Sequence, residues 1–140
     1  MHVVIGEDEA LLREGLRHLL ENDGIEVLAA VGTAAPLERE VARHRPDLVI
    51  TDIRMPPTYT DEGLLAALRI RHAHPETAVV VLSQHVQRRY AAELLRQEGA
   101  GFGYLLKQRV ADVRTFTADL RRVADGGTAL ADELGSAVRF

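Results

Sequence analysis

Short apolar runs recur along this chain, each followed by a longer stretch with helical periodicity. The runs are Val3-Val4-Ile5, Val27–Val31, Leu48-Val49-Ile50, Val79–Leu82 and Tyr104-Leu105-Leu106. Most are apolar at every position rather than at alternate ones. Strands of that kind suit a parallel sheet covered on both faces. The stretch Glu26–Val31, flanked by Gly24 and Gly32, suits an edge strand.

The intervening stretches read as helices. Ala10–Asn22 places Leu12, Leu16, Leu19 and Leu20 at helical spacing and stops before Gly24. Thr33 suits the cap of a helix through His44, with Pro36 in the first turn and Pro46 beyond the end. Asp61–His72, Gln87–Gln97 and Val110–Ala124 repeat the pattern and end near Pro75, Gly99 and Gly126-Gly127. Strand and helix alternate five times, which predicts right-handed crossovers and an α/β fold. The expected architecture is a flavodoxin-like doubly wound (βα)5 unit, its five-stranded parallel sheet ordered 2-1-3-4-5. Residues 1–125 form that domain in this reading, and 126–140, after a Gly-Gly break, form a linker or a short extra helix.

Composition narrows the function. A chain of 140 residues suits one domain, and its formal net charge of −4 argues against a nucleic-acid-binding surface on this segment. It contains no cysteine, so disulfide, thiolate and Cys-ligated zinc chemistry are excluded. No apolar run approaches the roughly 20 residues that span a bilayer. No export signal opens the chain, so the expected location is cytoplasmic, away from membranes.

Four of the five strands run into residues suited to handling a phosphoryl group. The first leads to Glu7 and Asp8, the third to Asp52, the fourth to Ser83 and the fifth to Lys107. Ligands of open α/β sheets bind beyond the carboxyl ends of the strands. Three carboxylates, a hydroxyl and an ammonium are therefore expected at one end of the sheet. Crowded carboxylates favour a cation, and Mg²⁺ takes oxygen ligands. Asp52 could then attack phosphorus, with Lys107 and Ser83 on the phosphoryl oxygens. Taken singly, a strand-end Asp is more often a turn or cap residue, and Ser83 could simply cap a helix. The ordered combination favours the joint reading.

Glu7-Asp8, Thr51-Asp52-Ile53-Arg54-Met55-Pro56, Ser83 and Tyr104-Leu105-Leu106-Lys107 resemble the receiver domain of two-component response regulators. Ala10–Leu16, Arg54–Thr58 and Gly126-Gly127-Thr128 further resemble its NarL/FixJ (LuxR-type) subfamily. The resemblance implies that Asp52 accepts a phosphoryl group from a sensor histidine kinase. It implies direct Mg²⁺ ligation by Asp8, Asp52 and the Arg54 backbone carbonyl, with Glu7 acting largely through water. Ser83 becomes the switch hydroxyl, Tyr104 the aromatic that follows it, and Lys107 the phosphoryl contact. It further implies homodimerisation on phosphorylation, with Leu11, Leu20 and Arg121 near the contact, and DNA binding through a C-terminal domain absent here.

Several positions depart from the common pattern. Glu7 replaces the usual Asp, Gln84 follows the switch hydroxyl where a small residue is common, and Gln108 replaces the Pro that favours a cis bond after Lys107. Arg54, Gln84 and His85 flank the expected phosphoryl position and would tune the acyl phosphate. The long Pro56–Asp61 loop borders it.

Two other chemistries compete. A haloacid-dehalogenase-type phosphatase needs an Asp two residues after the nucleophile, where this chain has Arg54. A nucleotide-binding module needs G-x-G-x-x-G, where it has Gly6-Glu7-Asp8-Glu9. A receiver that signals without phosphorylation is the main alternative.

Overall fold

A computed structural model describes residues 1–84, 88–131 and 137–138, and the side-chain surroundings of 1–84 and 91–130. Five β/α units come first: β1 His2–Gly6, α1 Ala10–Asn22, β2 Glu26–Val31, α2 Ala34–His44, β3 Leu48–Asp52, α3 Glu62–Ala73, β4 Ala78–Ser83, α4 Arg88–Glu98, β5 Phe102–Leu106 and α5 Val113–Ala124. A 3₁₀ turn, Lys107–Ala111, separates β5 from α5. The sheet order is β2-β1-β3-β4-β5, continued by β6 Thr128–Ala131 and β7 Ala137–Val138.

The strands are apolar at successive positions because both faces are covered. Val3, Ile5, Leu48, Ile50, Val80, Leu82 and Leu105 pack with Leu16 and Leu20 of α1 and Phe116, Leu120 and Val123 of α5. Their neighbours Val4, Val49, Val79, Val81 and Leu106 point the other way, toward Leu37 and Val41 of α2, Leu64 and Ile70 of α3, and Leu94 and Leu95 of α4. Side chains alternate across a strand, so two cores share one sheet. Leu20 is fully buried, which removes it from any surface contact, whereas Leu11 is 89% exposed. No helix among the described residues is long and apolar enough to cross a membrane.

Three elements differ from the expected pattern. Residues 126–140 do not begin as a linker or an extra helix: Thr128–Ala131 is a sixth parallel strand, in register with Phe102–Tyr104. Among the described residues the sheet keeps the expected order of its first five strands and extends it by two more, the last antiparallel to its neighbour. Thr-Ala-Leu-Ala has one bulky side chain and weak strand propensity, so only pairing with β5 reveals it. Helix α5 starts at Val113, not Val110, because Asp112 caps it by accepting from the Thr115 N–H at 3.4 Å.

A close approach fixes how β3 hands over to α3. Gly63 and Leu64 both donate to the Ile53 carbonyl, at 2.9 and 3.3 Å. A Cβ on Gly63 would lie 1.7 Å from the Asp52 carbonyl oxygen, so α3 can sit here only without a side chain. Gly63→Ala is expected to destabilise the fold by about 3 kcal/mol or more, as overpacking against rigid backbone does. Gly15→Ala, in an exposed turn of α1 with open space around it, is expected to stabilise by about 0.5–1 kcal/mol. Urea denaturation of the two variants checks both signs.

Candidate functional site

Glu7 and Asp8 follow directly on β1, and the backbone there is tied down on two sides. The Glu7 N–H donates to the Val31 carbonyl at 2.8 Å. The Arg13 guanidinium reaches back from α1 to the carbonyls of Glu7 at 2.7 Å and Asp8 at 3.4 Å. Arg13 carried no site role in the sequence reading; its position one helical turn after an acidic strand end is the signal for such a brace. Glu7 is 1% exposed, and its Oε2 accepts from the Glu9 N–H at 3.1 Å.

Asp52 is the last residue of β3 and 5% exposed. Beyond it, the Ile53 N–H donates to the Leu82 carbonyl at 3.0 Å, which carries β3 one residue further along β4. The Arg54 N–H points back at Asp52 Oδ1 from 3.4 Å. Lys107, one residue past β5, brings its Nζ to 2.8 Å from Asp52 Oδ2 and 3.2 Å from Glu7 Oε1. One ammonium thus serves two buried carboxylates.

A pocket of about 270 Å³ opens over this end of the sheet, with Asp8, Asp52, Arg54, Tyr59, Ser83, Gln84 and Lys107 in its wall. Ser83 and the exposed Gln84 reach it, as their place after β4 requires. Tyr104 does not line it: this side chain is 3% exposed and packed in the core beneath. His85 lies outside the described residues. Tyr59, on the β3–α3 loop, and Glu9 are wall residues that sequence reasoning did not single out. The cis peptide among the described residues joins Pro56 and Pro57, not Lys107 and Gln108.

The charge balance is tense. Burial pushes the Glu7 carboxyl up from the usual carboxylate range and Asp52 pushes it further, while the Glu9 amide and Lys107 pull it down. Burial likewise raises Asp52, against the pull of Lys107. For Lys107, burial favours loss of the proton, but Asp52 and Glu7 together outweigh it and hold the ammonium charged. Three carboxylates against one ammonium leave net negative charge in a confined space.

That surplus suits a hard cation. Glu7, Asp8 and Asp52 each offer an oxygen within 4.8 Å of the others. Glu7 Oε1 is buried without a hydrogen bond, although Lys107 lies within ion-pair distance. An orphaned buried carboxylate oxygen facing two further carboxylates is a donor set fit for Mg²⁺.

A family model described as the response regulator receiver domain matches residues 3–116. The oxygen regulatory protein NreC of Staphylococcus haemolyticus is 32% identical over 108 residues, covering 76% of this chain and 48% of the relative. The chain therefore spans about half the length of such curated relatives. The receiver domain of the response regulator NarL from Mycobacterium tuberculosis superposes with a TM-score of 0.69 at 28% identity, over 86% of this chain and 95% of that one. A response regulator receiver domain protein from Clostridium thermocellum gives 0.73 at 27%, over 89% and 94%.

The raised Asp52 carboxyl carries a stability consequence. A group whose folded-state pKa lies above its unfolded value favours the fold below the unfolded value, and loses that contribution as pH rises through the folded one. Ionised Asp52 therefore costs stability at neutral pH without a cation. Asp52→Asn is expected to melt a few degrees higher than wild type at pH 7.5 in chelator. Its advantage should shrink as pH falls through the carboxylate range and wild-type Asp52 takes up its proton. Thermal denaturation followed by circular dichroism across that range reads the difference.

Proposed function

The chain belongs to the response regulator receiver domain family, and we propose that it is a phosphorylation-dependent switch whose acceptor is Asp52. The observation that carries this reading is the Lys107 ammonium, 2.8 Å from Asp52, inside a wall that also holds Asp8 and Ser83. Asp8, Asp52 and the Arg54 carbonyl would hold Mg²⁺, with Glu7 acting through water. Bound there, the cation neutralises charge developing on the transferred phosphoryl group.

A carboxylate oxygen of Asp52 attacks the phosphorus of a phosphohistidine on a sensor kinase. The new P–O bond forms as the N–P bond breaks. Lys107, already beside Asp52, is positioned to pair with a phosphoryl oxygen, and the Ser83 hydroxyl to donate to another. Arg54 and Gln84 stand at the mouth of the pocket and set how easily donors and water enter; the sequence places His85 beside them.

Drawing Ser83 toward the phosphoryl group would shift the end of β4, which pairs with the β5 strand that carries Tyr104. That is how a local charge would bias the packing of β5 and α4. The output is a changed surface and homodimerisation, with Leu11 exposed on α1 and Arg121 of α5 paired to Asp23 at 2.8 Å. A second domain beyond this segment would carry DNA binding, in keeping with the greater length of the relatives, and the setting would be the cytoplasm. The chemistry is that of an acceptor rather than a turnover enzyme: position 54, where a phosphatase of the competing type needs an acid-base carboxylate, is Arg.

Incubation with Mg²⁺ and acetyl phosphate, followed by intact mass, is the direct test. Wild type is expected to gain one phosphoryl group, in a Mg²⁺-dependent way, and Asp52→Asn none. A wild type that stays unmodified here and also with a phosphorylated histidine kinase would replace this reading with a receiver that signals by binding alone.

A further inference from the structure

Lys107 supplies the ammonium that Asp52 and Glu7 share, yet the turn that carries it has little of its own to hold it. The 3₁₀ turn Lys107–Ala111 begins without a side-chain cap. Gln108 is exposed, and its backbone lacks the ring by which a proline would fix φ. Arg109 is the one buried residue of the turn, 8% exposed. Buried positions are most often apolar, and arginine occupies them only when paired. Here the partner is a carboxylate of α5.

That carboxylate belongs to Asp119, which is 2% exposed. Its two oxygens are divided between two arginines. Oδ2 accepts from Arg109 Nε at 3.4 Å, and Oδ1 from Arg122 Nη2 at 2.6 Å, one turn further along α5. Arg122 also donates from Nε to the carbonyl of Thr128, the first residue of β6, at 3.3 Å. The Arg109 carbonyl accepts from the Asp112 N–H at 3.1 Å, just before α5 begins. Arg109 is thus tied through both backbone and side chain, two residues from Lys107.

Burying an ion pair gains little stability over an apolar anchor of the same size, because both charges lose water. What the pair adds is direction. A guanidinium and a carboxylate meet in few orientations, and a wrong rotation of the turn would leave a charge buried and unpaired. Rotation matters because Lys107 has to reach 2.8 Å from Asp52 Oδ2 and 3.2 Å from Glu7 Oε1 on a flexible four-carbon stem. From this we infer that Arg109 and Asp119 are positioning residues for Lys107. Their ion pair sets the rotation of the turn, and with it the reach of the ammonium into the pocket. The consequence for phosphoryl transfer rests on Asp52 being the acceptor; the placement of Lys107 does not. Neither residue touches the reacting atoms. They lie ten residues apart on different elements, so no local pattern joins them.

The test uses Arg109→Met and Asp119→Asn, each alone and combined with Lys107→Ala or with Asp52→Asn. Arg109→Met leaves the bond between Arg122 and Asp119 in place, so it carries the test if Asp119→Asn fails to fold. Phosphorylation by acetyl phosphate with Mg²⁺, read by intact mass, should slow about three- to tenfold in each single variant, as misplacement of a transition-state contact does. Combined with Lys107→Ala, neither should slow it further, because no ammonium remains to be placed. Melting in chelator gives a second reading that needs no phosphoryl transfer. Asp52→Asn should raise the melting temperature more in Arg109→Met than in wild type, since a displaced Lys107 no longer offsets the buried carboxylate. Undiminished phosphorylation in folded Arg109→Met, equal slowing with and without Lys107, or an unchanged melting gain would overturn the positioning role. A wild type that takes up no phosphoryl group, with the melting gain still enlarged, would remove the acceptor reading and leave the placement of Lys107 standing.

Discussion

Burying both faces of a parallel sheet leaves the strand ends as the place where polar groups can gather. Val3, Val4, Ile5, Leu48, Val49 and Ile50 are all inaccessible to solvent. Nothing polar can be housed along them at tolerable cost. Because β1, β3, β4 and β5 run in the same direction in adjacent register, their last residues arrive side by side. Glu7, Asp52, Ser83 and Lys107 meet for that reason. The site follows from the packing of the sheet rather than from any affinity among its members.

Assembling the site in this way creates an electrostatic problem that the chain resolves only in part. Glu7 and Asp52 lose water on burial, and one ammonium is shared between them. The orphaned Glu7 oxygen marks what is left over. Under the proposed function such a cluster would gain from a cation, and then from an incoming group beside Lys107. Stability and function pull in opposite directions here, as they do wherever like charges are concentrated to serve chemistry.

The rest of the molecule limits how far any change in the site can spread. Arg71 pins the ends of α3, α4 and β5 together through the carbonyls of Glu98, at 2.9 Å, and Ala100, at 2.8 Å. At the other edge, buried Asp119 holds Arg109 of the 3₁₀ turn and Arg122 of α5, and Arg122 also reaches the Thr128 carbonyl of β6. With β6 covering it, β5 is an interior strand, so the Tyr104 side of the sheet is braced rather than open.

Much of this could be read directly from the amino-acid sequence. Continuous apolar runs specify strands buried on both faces, helical spacing of leucines specifies the covering layers, and glycines and prolines mark most of the ends. Their order, with acids after the first and third strands, a hydroxyl after the fourth and a lysine after the fifth, specifies which side chains share a site. Local patterns carry that information because each depends on residues a few positions apart. What tertiary structure alone decided depends on residues far apart in the chain, whose proximity no periodicity encodes. Lys107 divides itself between Asp52 and Glu7, Tyr59 joins the wall of the pocket, Gly63 yields to the Asp52 carbonyl, and the unremarkable Thr128–Ala131 becomes a strand because β5 offers it an edge. A strand that short and small is stable only against a partner, and an ion pair between the ends of two strands exists only once the sheet has set the distance between them.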